Sequence, residues 1–276
     1  MSEVKWDFVP TTGAIFSPKD VRDYQAVCTA AAAEFPKEFK LDMVRIKNQG
    51  SVGSCVAHSL SEVVEYFNSK QLNKDTEMST GYIYGNRTMS TWRGSGMIVR
   101  DALKTLKNYG DVTKEQFPYN IEAPGAIEQY EAVSDNLFNE GYPYRITSYA
   151  KLNNDNDVKS ALMNCGPVVM AMDWYNDIKV KNGVLTTEYK GDAGGHCMVI
   201  YGWNETGWLV QNSWGRYWGD KGCCVIPYDI KIREKWLVTD TILDDVKDMD
   251  IEKPFSSWFG KIIAAIINWV AALLGQ

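Results

Sequence analysis

Three residues of this 276-residue chain could together cut an amide bond, and they lie far apart along it. Cys55 closes the run Gln49-Gly50-Ser51-Val52-Gly53-Ser54-Cys55. A thiol at the first turn of a helix sits in the positive end of the helix dipole, which favours the nucleophilic thiolate. His196 stands in Gly194-Gly195-His196-Cys197-Met198-Val199, where two glycines let an imidazole approach another part of the chain closely. Asn212 stands in Gln211-Asn212-Ser213-Trp214-Gly215, and its amide can fix an imidazole ring. Each residue alone has a plainer reading: a small buried residue at a helix start, a histidine satisfied by backbone, turn chemistry at a strand end. Together they supply a nucleophile, an acid–base group and an orienting amide, in the order Cys, His, Asn, with separations of 141 and 157 residues from the thiol.

The elements that must position them are legible. Val56, Leu60, Val63, Val64 and Phe67 recur at helical spacing behind the glycine-punctuated loop and predict a helix led by Cys55. A second helix is expected over 97–108, with Ile98, Ala102, Leu103 and Leu106 on one face and Gly110 to stop it. A third is expected over 157–164, ending before Gly166-Pro167. From there the pattern turns to strands: 168–172, then 197–203 and 208–212 joined by the turn Asn204-Glu205-Thr206-Gly207, then 223–226. Helices first and strands second imply an α+β protein with a helical lobe and a β lobe. The thiol then falls in one lobe, the imidazole and amide in the other.

Composition narrows the alternatives. The net charge is −6 and no basic block or stripe appears, so nucleic acid is not an expected partner. No metal site is expected, because only two histidines exist and no C-x-x-C pair accompanies them. The six cysteines include the adjacent Cys223-Cys224 and suggest no disulfide framework; most are read as reduced, buried thiols. The N-terminus lacks the basic start and apolar stretch of a secretory signal, so a cytoplasmic or other reducing compartment is expected. His58, one turn after Cys55, is read as a helix-surface or packing residue.

The segment Asn48-Gln49-Gly50-x-x-Gly53-Ser54-Cys55 resembles the active-site segment of the papain-like cysteine peptidases. Gly195-His196 and its strand resemble their histidine strand, and Asn212-Ser213-Trp214-Gly215 with Trp218-Gly219 their asparagine motif. The resemblance spans about residues 36–240. It implies an α+β, papain-like two-lobed fold: a peptidase domain over 37–243, with a helical lobe (about 48–150), an antiparallel β-barrel-like lobe (about 151–243) and a cleft between them. Residues 1–36 are then a leader or short pro-segment. The implied catalytic residues are Cys55 as thiolate nucleophile, His196 as its protonated acid–base partner, Asn212 as orienter, and Gln49, whose amide joins the Cys55 N–H in an oxyanion hole. Gly94-Ser95-Gly96 resembles the family's glycine-containing strip for substrate backbone, though a plain helix-start loop has the same composition. Gly195 and Trp214 complete the substrate-binding set, Trp214 also covering the Asn–His contact. The implied substrate is a peptide or protein, with no cofactor and no metal. A catalytically silent peptide-binding module, or an amide hydrolase or acyl transferase for a non-protein substrate, would use the same residues. Two positions depart from the family pattern: Val52 replaces a common cysteine and Val56 a common tryptophan. The short leader makes the chain similar to compact bacterial or viral members.

Residues 244–257 are acidic, broken by Pro254, and read as a linker. Residues 258–276 form an apolar C-terminal helix, with Ile262, Ile263, Ile266, Ile267, Val270, Leu273 and Leu274 on one stripe. A membrane surface, a partner protein and the protein's own surface are all open as its seat.

Overall fold

The computed structural model describes residues 11–28, 35–87, 95–118, 135–240 and 249–252. Helix α1 (Cys55–Leu72) begins on the thiol, as expected, and stops where Asn73 turns into the left-handed region at φ 48°. Its apolar residues lie inside a first core together with α2 (Thr80–Gly85) and α3 (Val99–Tyr109). Ser79 caps α2 by accepting from Tyr82 N–H, and Gly110, at φ 71°, ends α3. Leu60 is fully buried in this core, so its truncation to Ala would cost about 2–5 kcal/mol. Helix α4 (Asp135–Gly141) follows. Helix α5 (Asp155–Asn164) starts two residues ahead of the expected span, capped by Asn154, with Asp155 and Asp157 at its positive end.

The sheet is longer than the sequence suggests. Two short leader strands, β1 (Ala14–Ile15) and β2 (Gln25–Cys28), precede β3 (Phe39–Lys40) and β4 (Met97–Ile98). After β5 (Ser148–Leu152) comes the long strand β6 (Val168–Tyr175), then β7 (Val180–Lys181) and β8 (Val184–Leu185). Strands β9 (Ala193–Trp203), β10 (Gly207–Gln211), β11 (Cys223–Pro227) and β12 (Ile232–Thr239) complete the lobe. Among the described residues the main sheet runs β13-β2-β5-β12-β6-β9-β10-β11-β8-β7, where β13 is Met249–Glu252 and β3 adds to β9. Its pairing is mostly antiparallel. Helices first and this sheet second match the expected α+β architecture.

The pleat sorts the strands' side chains. Val169 and Ala171 of β6, and Cys197 and Val199 of β9, face α1 and join the first core. Val168, Met170 and Met172, with Met198 and Ile200, face the other way into a second core with α5. Both faces of the central strands are therefore covered, which explains their nearly continuous apolar runs.

Two segments outside the expected peptidase domain join its sheet. The leader is woven into the fold: β2 pairs in parallel with β5, and β1 pairs with β4. Residues 249–252, inside the stretch read as a linker, pair with β2. These strands were not legible, because each is only two to four residues long. The apolar segment 258–276 lies outside the described residues. Among the described residues no helix is long and apolar enough to cross a membrane.

Candidate active site

The loop before α1 is tied down across the molecule. Gly50 takes φ 56°, a left-handed turn that glycine makes without a Cβ clash. Gln49 N–H donates to Ser213 C=O at 2.8 Å, and Gly215 N–H to Lys47 C=O at 2.9 Å. Ser213 Oγ donates to Gln49 Oε1 at 2.6 Å, which fixes the amide so that Nε2 points its protons at Val52 C=O (2.8 Å) and Thr11 C=O (2.9 Å). The Gln49 loop and the Asn212 motif are thus a single hydrogen-bonded unit. Ser213 is a residue that sequence reasoning missed, although it sits between Asn212 and Trp214.

His196 opens the apolar part of β9. Its Nε2–H donates to Asn212 Oδ1 at 2.8 Å, and Ser213 N–H also donates to that oxygen. These bonds set the amide orientation and leave Nδ1 as the unprotonated ring nitrogen, buried and without a hydrogen-bond partner among the described residues. Trp214 stacks on the imidazole at 4.5 Å between centroids, and Trp174 meets it edge-on at 5.3 Å. Trp218 packs against both tryptophans. This cage excludes water from the His–Asn contact. Burial pulls the imidazole down to about 4, with the Asn212 hydrogen bond working the other way. Trp174 is a further residue the motifs did not single out, while Trp218 belongs to the asparagine motif already quoted.

The cleft is occupied by the chain's own leader. Gly13 N–H donates to Gly195 C=O at 3.0 Å, and Gly13 C=O accepts from Met97 N–H at 2.9 Å. Thr11 C=O takes the Gln49 amide, and Thr11 Oγ1 donates to Gly50 C=O at 3.3 Å. The approach is backbone to backbone: a Cβ on Gly13 would strike Gly53 C=O, and one on Gly195 would strike Ala14 C=O. Strand β1 runs parallel to β4. Beyond it, the Phe16 ring lies under the Arg233 guanidinium, Ser17 N–H bonds to Glu234, and Asp23 pairs with Arg100 at 3.1 Å.

Under this cover Cys55 is fully buried. Burial pushes its thiol up to about 11, partly offset by the backbone of Cys197, Gly13, Val56 and Cys55 itself. Burial thus disfavours the charged form of both groups, raising the thiol and lowering the imidazole.

The other expected residues divide. Gly96, at φ 98°, lies against Gly13 C=O, and Ser95 is exposed beside it. Gly94 lies outside the described residues. Trp214 is 2% exposed and covers the imidazole, so its side chain walls the His–Asn contact rather than an open groove. His58 is buried, not on the helix surface; its Nδ1 lies 3.0 Å from Ser54 C=O, and burial holds it down at about 3. Cys165, Cys197 and Cys224 are buried free thiols, and Cys223 is partly buried.

A helical lobe and a mostly antiparallel sheet, with a thiol at a helix start and an amide-held imidazole on a strand, define the papain-like fold. The family described as papain family cysteine protease matches residues 35–237. The chain belongs to that family. A cysteine protease of Blomia tropicalis is 31% identical over 200 residues, covering 66% of this chain and 57% of that protein. An uncharacterised peptidase C1-like protein of Acanthamoeba polyphaga mimivirus is 28% identical over 236 residues, covering 74% and 73%. The chain thus spans little more than half of the first relative's length. Among solved structures, xylellain, a cysteine protease from Xylella fastidiosa, superposes with a TM-score of 0.75 at 22% identity, covering 87% of this chain and all of that one. The bromelain protease from Ananas comosus, in complex with the E64 inhibitor, gives 0.60 at 19%, covering 75% and 100%.

Proposed function

We propose that this protein hydrolyses peptide bonds through a thioacyl-enzyme on Cys55. The observation that carries the reading is the pairing of His196 Nε2–H with Asn212 Oδ1 inside a tryptophan cage, which leaves Nδ1 as an unused base in a site whose thiol starts a helix. Nδ1 takes the Cys55 proton as the thiol attacks the scissile carbonyl. The imidazolium then protonates the leaving amine, and later the neutral ring activates water to release the acid. Asn212 keeps the ring in orientation throughout, the role of the third group in a triad. Gln49 Nε2 and the Cys55 N–H stabilise the oxyanion; one such donor is worth roughly 3 kcal/mol of barrier.

Residues 11–15 are read as a plug. They engage Gln49, Gly195 and Met97, the groups that would otherwise meet a substrate's backbone, and their cover is what keeps the thiol neutral. Opening the cleft restores water and the helix-dipole field, so the thiol's pKa falls.

Hydrolysis of a peptide-substrate library and labelling by an epoxide thiol probe such as E64 test the reading. Wild type and Gly13→Val, whose new side chain would collide with the Gly53 backbone, are compared with Cys55→Ala. Label on Cys55 and cleavage, both stronger in Gly13→Val and absent in Cys55→Ala, are expected. Cleavage by Cys55→Ala, or no label on either cysteine-bearing chain, would refute it.

A further inference from the structure

One carboxylate on α1 gathers the cations of the segment that carries Gln49. Glu65 is buried ten residues beyond Cys55 on the same helix, about 15 Å along its axis. Its Oε1 meets Lys47 Nζ at 2.7 Å and also accepts from Met78 N–H at 2.7 Å. Its Oε2 accepts from Arg45 Nη1 at 3.1 Å. Lys47 is itself buried, and its ammonium donates a second bond to Met78 C=O at 3.1 Å. The main chain of the same segment is bonded elsewhere, to the Asn212 motif. Gln211 Nε2 donates to Arg45 C=O at 2.8 Å, Gly215 N–H to Lys47 C=O at 2.9 Å, and Gln49 N–H to Ser213 C=O at 2.8 Å. Asn48 and Trp214 form an antiparallel bridge between these bonds. Residues 45–49 are thus a seam. Their cationic side chains are tied to the helix that starts with the thiol, and their backbone is tied to the loop that holds the imidazole's amide partner. A buried ion pair is a poor source of stability, because the loss of hydration offsets much of the attraction between the charges. What this one supplies is a fixed arrangement of the seam against α1.

We propose that Glu65, through Lys47 and Arg45, is a positioning residue for catalysis, holding the Gln49 amide in register with the Cys55 N–H so that both donors meet one oxyanion. The inference rests on the peptide hydrolysis proposed above. Glu65 touches no reacting atom; it acts through Gln49. A misplacement of about 1 Å imposed from a distance can cost about 10²-fold in rate. The oxyanion exists only while a carbonyl is under attack. Loss of the clamp therefore falls on kcat and spares both substrate binding and the intrinsic reactivity of Cys55.

The test compares full-length Lys47→Met, Glu65→Gln and their double variant with wild type, each alone and combined with Gln49→Ala. The readouts are peptide hydrolysis, alkylation of Cys55 by iodoacetamide, and the thermal midpoint. Alkylation displaces iodide from carbon and builds no oxyanion, so it reports the thiol and access to it. Glu65→Gln keeps an oxygen for Met78 N–H, and Arg45 keeps Asp75 at 2.8 Å. Each single variant leaves a buried charge without its partner and should lose stability; the double variant removes both charges and should regain most of it. In both single variants kcat should fall roughly 10–100-fold and stay low in the double, with KM and the alkylation rate within about two-fold of wild type. Combined with Gln49→Ala, the double variant should lower kcat little further. A kcat that recovers with the thermal midpoint in the double variant overturns the proposal, because Glu65 then only stabilises the fold. So does an alkylation rate that falls in step with kcat, or a loss that adds in full to that of Gln49→Ala. Any of these results beside a wild type that cleaves peptides fails this inference and leaves the peptidase reading standing. A wild type whose Cys55 is alkylated but which cleaves no peptide fails that reading, and the inference falls with it. Where a single variant does not fold, the double variant decides.

Discussion

The two walls of the cleft are built from different materials. The wall around Cys55 is backbone: the turn at Gly50, the fixed Gln49 amide, and glycines packed so closely that Gly13 and Gly53 have no room for a methyl group between them. The wall around His196 is aromatic, with Trp174, Trp214 and Trp218 closed over one imidazole and one amide. Hydrogen bonds and close backbone approach fix positions with little slack, so damage there is abrupt. Packing of large rings fixes position by summed small contacts and by excluding water, so damage there is graded.

The sharpest break lies on the backbone wall. Cys55→Ala removes the nucleophile itself, and peptide hydrolysis should fall by at least about 10³-fold. Gln49→Ala removes one oxyanion donor and should cost about 10²-fold in kcat. If Ser213 acts by holding that amide, Ser213→Ala should lower kcat by less than Gln49→Ala and add little in the double variant. Losses that add up would break the picture of one hydrogen-bonded unit.

On the aromatic wall, Trp214→Ala should cost about 10-fold in kcat/KM, and about 3–5 kcal/mol of stability from the cavity it leaves. Its diagnostic is the pH profile. The cage's burial is what holds His196 at about 4, so letting water in moves that group up towards its ordinary 6.5. A loss of rate with no movement of any ionisation would mean that the ring merely packs.

The difference between the walls also decides what could be read in advance. Cys55, His196, Asn212 and Gln49 carry their chemistry in their side-chain types, and their flanking glycines mark close approach. The halves of the fold were legible because α1 repeats at helical spacing and β6, β9 and β10 are short apolar runs between turn residues. The plug was not legible. Thr11-Thr12-Gly13-Ala14-Ile15 makes its contacts mostly through main-chain atoms, which any sequence possesses. The direction of the thiol's shift was hidden for the same reason: a helix start predicts a depressed thiol pKa, and the burial of Cys55 raises it instead. Trp174 was one tryptophan among ten, with nothing local to say that it joins Trp214 and Trp218 in a cage.

The smallest expected effect lies behind the backbone wall, where the helical lobe buries the carboxyl groups of Glu62, Glu65 and Asp111. Lys47 pairs with Glu65 at 2.7 Å, a bond both sides can keep. Glu62, buried one turn earlier on α1, is different: burial raises its carboxyl well above the ordinary 4.5, with Lys47 and Gln211 working against the shift. Asp111 is raised by burial in the same way. A carboxyl that is protonated when folded and ionised when unfolded binds more protons in the native state. Stability therefore falls as pH rises above 4.5 towards the raised native value. His58 and His196 run the other way, since their depressed native values make stability fall as pH drops below about 6.5. Glu62→Gln keeps the shape and removes the ionisation. Its thermal midpoint should match wild type near pH 4, exceed it at neutral and alkaline pH, and keep the acid-side decline that the histidines impose. Asp111 still titrates, so the alkaline decline should shrink rather than vanish. A midpoint for Glu62→Gln that tracks wild type across the whole range would place an ionised, paired carboxylate at residue 62, and the two walls would then rest on interiors of the same kind.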